Sequence, residues 1–115
     1  MATTVYGIPN CDTVKKARGW LDEHGVGYIF HDYKKAGADA ALVAHWVSVA
    51  GLDTVLNRAG TTFRKLPNAD KAGIDAAKAV ALMVAQPSLI KRPIVEHPGG
   101  LLVGFKPAEW AGALN

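Results

Sequence analysis

The spacing of apolar residues at the start of the chain predicts a strand, a helix and a second strand. A β-prone run ends at Gly7, and a helix then fits the chain because Val14, Ala17 and Leu21 recur every three or four residues. Gly25 is a typical residue at a helix end. Because a helix connects them, we expect the two strands to be parallel. The predicted elements are Thr3–Gly7, Asp12–His24 and Tyr28–Tyr33.

Helical spacing dominates the middle of the chain, and strand-like runs return near its end. Helices are predicted at Asp39–Ala50 and at about Ala69–Ala85, with a loop at Asn57–Thr62 between them. Two short apolar runs then flank His97-Pro98-Gly99-Gly100 and predict a hairpin whose loop is longer than a two-residue turn. Pro107 is placed to open a short final helix. The order is therefore β-α-β, then helices, then β-β-α.

The chain has 115 residues, of which 50% are hydrophobic and 20% charged. This length suits one domain that buries a core without disulfides or metal. No apolar run approaches the ~18 residues of a membrane span, and the N-terminus shows no secretory signal. A single cysteine excludes a disulfide framework and suits a reducing compartment. We therefore expect a cytoplasmic protein without membrane contact.

The formal net charge is only +3, and the basic residues occur as scattered pairs such as Lys15-Lys16 and Lys34-Lys35. Nucleic-acid surfaces concentrate such charge on one face, so we expect no direct nucleic-acid binding. A small anionic ligand needs only a few of these charges. The four histidines lack the spacing of metal ligands, and we predict no metal site.

Cys11 is the only thiol and stands at the predicted start of a helix. A lone cysteine is often simply a small buried apolar residue. At a helix start, however, unpaired backbone N–H groups and the helix dipole favour the thiolate, and Lys15 and Lys16 add positive charge one turn further on. The thiolate is the nucleophilic form of the side chain. Cys11 is therefore either a structural residue or a reactive nucleophile.

Val14 occupies the position at which a C-x-x-C motif would carry its second cysteine. A single thiol can attack a substrate, but it cannot by itself resolve the covalent intermediate that results. An outside thiol such as glutathione must do so. The spacing therefore predicts that a reactive Cys11 depends on a second thiol.

Two arginine-containing segments are of chemical interest. Thr61-Thr62-Phe63-Arg64-Lys65 is either a solvated loop or an anion clamp, because guanidinium groups bind oxyanions and carboxylates through paired hydrogen bonds. Arg92-Pro93 opens the predicted third strand. Considered alone, this pair indicates a strand-opening proline beside a solvated arginine.

Four segments, correctly ordered and spaced along essentially the whole chain, resemble the arsenate reductase/Spx family. This resemblance implies an α/β (α+β) thioredoxin-like fold with a four-stranded mixed sheet. It also implies a single domain over residues 1–115, with a helical insertion at about 37–88. The segments are Tyr6–Ala17, Arg58–Lys65, Ile90–Ile94 and Val103–Glu109.

The resemblance also implies roles for individual residues. Cys11 would be the nucleophile, and Arg64 and Arg92 would hold an oxyanion or favour the thiolate. Pro93 matches the family's cis-proline beside the active cysteine. The implied substrate- or glutathione-binding residues are Asn10, Thr13, Pro93 and Lys106.

Three positions depart from the family's patterns. Glutaredoxin-linked arsenate reductases carry a histidine where this chain has Gly7 and an arginine where it has Lys106. Lysine keeps the charge but lacks the bidentate fork. The redox regulators of the family, which bind the RNA polymerase α-subunit, usually carry C-x-x-C, whereas Val14 stands here.

We therefore expect a glutathione-dependent thiol oxidoreductase in which Cys11 attacks a disulfide or an oxyanion such as arsenate, the disulfide more readily. The alternative is an Spx-like regulator that binds the RNA polymerase α-subunit. The enzyme is expected to be a monomer without a bound cofactor. Its expected partners are glutathione, as co-substrate, and glutaredoxin.

Overall fold

The computed structural model describes residues 3–114, apart from the side chain of Lys34. The chain divides into two compact units. The sheet unit comprises the residues up to Ala36 and those from Arg92 onward, and the helical unit is Gly37–Lys91. The elements are β1 (Thr3–Gly7), α1 (Asp12–Glu23), β2 (Tyr28–Asp32), α2 (Tyr33–Ala36), α3 (Ala40–Ala50), α4 (Leu52–Val55), α5 (Thr61–Arg64), α6 (Asn68–Lys71), α7 (Ala76–Ala85), a 3-10 turn (Pro87–Leu89), β3 (Ile94–His97), β4 (Gly100–Val103) and α8 (Pro107–Leu114).

The sheet unit contains a four-stranded mixed sheet in the order β2-β1-β3-β4. Strand β1 runs parallel to β2, with Val5 opposite Phe30, and antiparallel to β3, with Val5 also opposite Val95. Strands β3 and β4 are antiparallel. The predicted parallel pair and the mixed four-stranded sheet are confirmed.

One apolar cluster holds the sheet unit together, and it joins strands β1 and β3 to helices α1 and α8. Its fully buried members are Val5, Ala17, Leu21, Val95 and Trp110. Full burial of an aliphatic side chain of this size contributes roughly 1.5–3 kcal/mol. The predicted apolar face of α1 is therefore confirmed, and this face fixes the position of the helix on the sheet.

Two helices of the helical unit begin at aspartate caps. The Asp39 carboxylate accepts a hydrogen bond from the Leu42 amide at the start of α3, and the Asp75 carboxylate accepts one from the Lys78 amide at the start of α7. Such caps satisfy amides that have no partner within the helix. Helices α3 and α7 pack together, and Trp46 of α3 is fully buried.

The prediction of one helix over 69–85 is wrong, because the chain leaves helical geometry between α6 and α7. Gly73 has a φ of +59°, which a helix does not allow, and Asp75 then caps a new helix. The short helix α5 was not predicted, and it begins within the predicted loop at 57–62.

Two boundaries in the sheet unit also differ from the predictions. Strand β2 ends at Asp32, whose carboxylate accepts a hydrogen bond from the Lys35 amide, so Tyr33 begins α2 instead of ending the strand. The hairpin loop is shorter than predicted, since β3 extends to His97 and β4 begins at Gly100. The Gly99 amide donates a hydrogen bond to Nδ1 of His97 and closes this two-residue turn.

Among residues 3–114, no helix has the length and apolar character needed to cross a lipid bilayer. The described side chains also contain no group of three His, Cys, Asp or Glu residues placed to hold a metal ion.

Candidate active site

Cys11 is the N-cap residue of α1 and stands where the loop after β1 enters the helix. Its backbone is extended (φ −87°, ψ 125°), its amide donates to the Ile8 carbonyl at 3.2 Å, and its carbonyl accepts from the Lys15 amide at 2.9 Å. The side chain makes no capping hydrogen bond and is partly exposed. The sulfur is therefore held at the positive end of a 12-residue helix and remains open to a reactant.

The first turn of α1 lies directly against the end of β1. A Cβ atom added to Gly7 would lie 3.0 Å from Cγ2 of Val14 and 3.6 Å from Cε1 of Phe30. Val14 itself is fully buried. A side chain at position 7 would therefore press on the buried Val14 side chain. The close contact also fixes where α1 begins, and with it the position of Cys11.

Arg92 and Pro93 immediately precede β3. The peptide bond between them is cis, as the resemblance implied. Pro93 is buried, and its carbonyl accepts a hydrogen bond from the Gly104 amide at 2.9 Å. Arg92 is half-buried, and its backbone leads through Pro93 into β3.

Tyr33 interacts electrostatically with both Arg92 and Cys11, and the sequence did not single it out. Its side chain is fully buried at the start of α2. Burial raises the pKa of the Tyr33 hydroxyl well above its ordinary value. The positive charge of Arg92 opposes this rise, whereas electrostatic interactions with Cys11 and Asp32 add to it. Cys11, Asp32 and Arg92 thus all act electrostatically on one buried tyrosine.

The remaining predicted site residues are exposed. Asn10 and Thr13 flank Cys11 at the start of α1. Lys106 precedes α8 and forms a 3.6 Å ion pair with Glu109, both side chains being more than half exposed. Exposed pairs of this kind are worth at most about 1 kcal/mol, so the pair does not hold Lys106 firmly. Arg64 lies at the end of α5 in the helical unit, where its carbonyl accepts a hydrogen bond from Nζ of Lys71.

Comparisons with known proteins agree with the fold. Residues 6–113 match the model of the ArsC family. The solved structure of the protein YFFB is 59% identical, with a TM-score of 0.97, and the match covers 99% of this chain and 100% of that one. An arsenate reductase (ArsC) related protein from Brucella melitensis is 54% identical, with a TM-score of 0.77, and the match covers 97% and 93% of the two chains.

The chain is also similar in sequence to a relative that is named as a transcriptional regulator. The global transcriptional regulator Spx of Listeria innocua is 30% identical over 110 residues, which cover 92% of this chain and 82% of that protein. The mixed sheet with its helices is the thioredoxin-like fold shared by the structural neighbours. The chain therefore belongs to the ArsC family.

Proposed function

We propose that the protein is a glutathione-dependent thiol oxidoreductase in which Cys11 is the nucleophile. The observation that carries the proposal is the placement of the partly exposed Cys11 thiol at the N-terminus of α1. A helix N-terminus and a nearby cation both favour the thiolate. The partly exposed sulfur is open to a substrate disulfide.

The chemistry is a sequence of thiol–disulfide exchanges. The Cys11 thiolate attacks one sulfur of a substrate disulfide, forms a mixed disulfide and releases the other half as a thiolate, which takes up a proton. A first glutathione thiolate releases the second half of the substrate and leaves glutathione attached to Cys11. A second glutathione, or glutaredoxin, removes that group and restores the Cys11 thiolate. When glutathione carries out both exchanges, one substrate disulfide is reduced to two thiols and two glutathione molecules are oxidised to one disulfide. When glutaredoxin carries out the last exchange, the glutathionyl group passes to its thiol as a mixed disulfide.

Negative charge develops on the leaving sulfur in each exchange, and this charge defines the role of the arginines. We propose that Arg92 stabilises that charge, with Arg64 and Lys106 as further cationic groups and Asn10, Thr13 and Pro93 as contacts for substrate or glutathione. A fixed guanidinium requires no reorganisation when the charge appears.

Substrate preference provides a test. Glutathione-dependent reduction of a small mixed disulfide should be readily measurable, whereas arsenate reduction should be slow or absent. Arsenate spreads its charge over several oxygens and gains most from converging forked donors. Lys106 is only a point charge, and Gly7 supplies no donor. Turnover of both substrates should be measured with glutathione, with and without glutaredoxin. Efficient arsenate reduction would overturn this ranking but would leave the role of Cys11 intact.

The 30% sequence identity to Spx of Listeria innocua supports a second candidate function. In this candidate the protein is a regulator that binds the RNA polymerase α-subunit through the helical unit. Val14 removes the second thiol that a disulfide switch needs. We therefore expect an immobilised C-terminal domain of the α-subunit to retain none of the protein in a pull-down, with an Spx protein as the positive control. Retention of the protein, combined with no turnover of any disulfide, would favour the regulator.

A further inference from the structure

The helical unit contains a cavity of about 310 Å³, which has the size of a small-molecule site. Binding sites for small ligands begin at roughly 300 Å³. The cavity is lined by Asp53, Leu56, Asn57, Arg58, Ala59 and Lys91. Two cations and one carboxylate therefore line the same cavity, together with one side-chain amide and two apolar residues.

Backbone pairing holds Lys91 next to the segment that carries Arg58. The Lys91 amide donates a hydrogen bond to the Val55 carbonyl at 2.8 Å, and Leu56 and Ile90 form an antiparallel β-bridge. Both bridge residues are buried, so the two segments separate only if apolar surface is exposed to water. The two cations are therefore brought to one cavity by a fixed part of the backbone.

The Arg58 guanidinium is oriented before any ligand arrives. Its Nη2 atom forms a 3.0 Å ion pair with Oδ1 of Asp53, and its Cζ atom lies 5.8 Å from the centre of the Phe63 ring. The Arg58 side chain nevertheless remains 44% exposed. A guanidinium has several N–H donors in a planar fork, and this ion pair engages one nitrogen. Arg58 is therefore able to bind a second acceptor without leaving Asp53.

Two further donors at the cavity have no acceptor. The Oδ1 atom of Asn57 accepts a 3.2 Å hydrogen bond from the Ala59 amide, which leaves the side-chain NH2 group to donate elsewhere. Within the described part of the chain, neither this NH2 group nor the Lys91 ammonium has a hydrogen-bond or ion-pair partner. The carboxylate in the lining, Asp53, is already bound to Arg58. Donors and positive charge are thus in excess, and this is the chemistry of an anion site.

We propose that this cavity is a binding site for a small aliphatic carboxylate. The carboxylate oxygens accept hydrogen bonds from Arg58, Lys91 and Asn57. The alkyl part lies against Leu56 and Ala59, which are the apolar residues of the lining. Binding requires no thiol chemistry, so this site goes beyond the proposed function.

Asp53 determines which anions suit the cavity. Arg58 and Lys91 bring two positive charges and Asp53 brings one negative charge, so the lining has a net charge of +1. A carboxylate carries one negative charge and balances the lining. A dianion such as sulfate brings a second negative charge toward the Asp53 carboxylate, and this repulsion selects against it.

Heteronuclear NMR of the whole chain, titrated with sodium butyrate, tests the proposal. The signals of the Asn57 NH2 group and of the Arg58 Nε–H should shift and saturate with a Kd of about 1 mM, as suits a ligand of few atoms. Butylammonium carries the same alkyl chain with the opposite charge and should shift neither signal. Sulfate should bind more weakly than butyrate. Shifts that do not saturate, equal shifts with butylammonium or tighter binding of sulfate would overturn the proposal.

Lys35 provides the matched control for the variants, because it is an exposed lysine of α2 outside the cavity. Lys91→Met and Arg58→Met should each weaken butyrate binding roughly threefold to tenfold, since each removes a charged donor. Lys35→Met removes the same charge and should change the affinity less than about twofold. Equal losses in Lys35→Met and Lys91→Met would overturn the proposal, because they indicate diffuse attraction to a basic protein.

Asp53→Asn tests the charge selection directly. It should raise the affinity for sulfate relative to that for butyrate roughly twofold to fivefold, because the dianion is relieved of more repulsion. Both affinities are measured on the same folded variant, so a general disturbance of the cavity affects them alike. An unchanged or lower ratio would overturn the proposal, whereas the role proposed for Cys11 does not depend on the result.

Discussion

The native protein is expected to react with oxidised glutathione faster than its own denatured chain and to gain a single glutathionyl group. The difference should be roughly tenfold, because only the folded protein places the Cys11 thiol at a helix N-terminus. Mass spectrometry of quenched samples, with and without denaturant, measures both rates on the same thiol. Because the chain has one cysteine, every adduct reports on Cys11.

Cys11→Ser should then lose glutathione-dependent disulfide exchange completely. A serine hydroxyl keeps nearly the same shape but is not a nucleophile toward sulfur at neutral pH. Thermal unfolding of the serine variant, compared with the wild type, separates lost chemistry from lost structure. Turnover that persists in folded Cys11→Ser, or equal rates in the native and denatured chains, would contradict the role assigned to Cys11.

Local sequence patterns were sufficient to predict the part of the site that lies on α1. Val14, Ala17 and Leu21 recur at helical spacing, and burial of all three is what orients α1 on the sheet. The placement of Cys11 at the N-cap follows from this spacing and from the loop that precedes it. Periodicity predicts such features well because each depends on residues within a few turns of one another.

Contacts between distant segments were beyond these patterns. Tyr33 continued the β-prone run of β2, and nothing local showed that Asp32 would cap a new helix and turn the tyrosine inward. Its electrostatic interaction with Arg92 involves residues 59 positions apart. The break at Gly73 was missed because the apolar residues on either side keep helical spacing across it. Hydrophobic spacing records burial, but it does not record which side chain meets which.

The contact between Gly7 and Val14 leads to the second prediction, a large loss of stability in Gly7→His. Even the Cβ of an alanine at this position would lie 3.0 Å from Val14 and 3.6 Å from Phe30. Overpacking of this kind costs roughly 1–3 kcal/mol and occasionally more. We therefore expect Gly7→Ala to lower the free energy of unfolding by about 1–3 kcal/mol and Gly7→His by more. Denaturant unfolding followed by tryptophan fluorescence measures both changes.

Gly19 provides the matched control, because it lies in α1 and an added Cβ would meet nothing within 4 Å. Gly19→Ala should stabilise the protein by roughly 0.5–1 kcal/mol, the ordinary gain from replacing glycine within a helix. Val14→Ala should make room, so Gly7→Ala should cost less in that background than in the wild type. Equal costs in the two backgrounds would show that Val14 is not what excludes a side chain at position 7. If the coupling is found, Gly7→His alone would place a histidine at this position only by displacing Val14 and disturbing the packing of β1 on α1 beside Cys11.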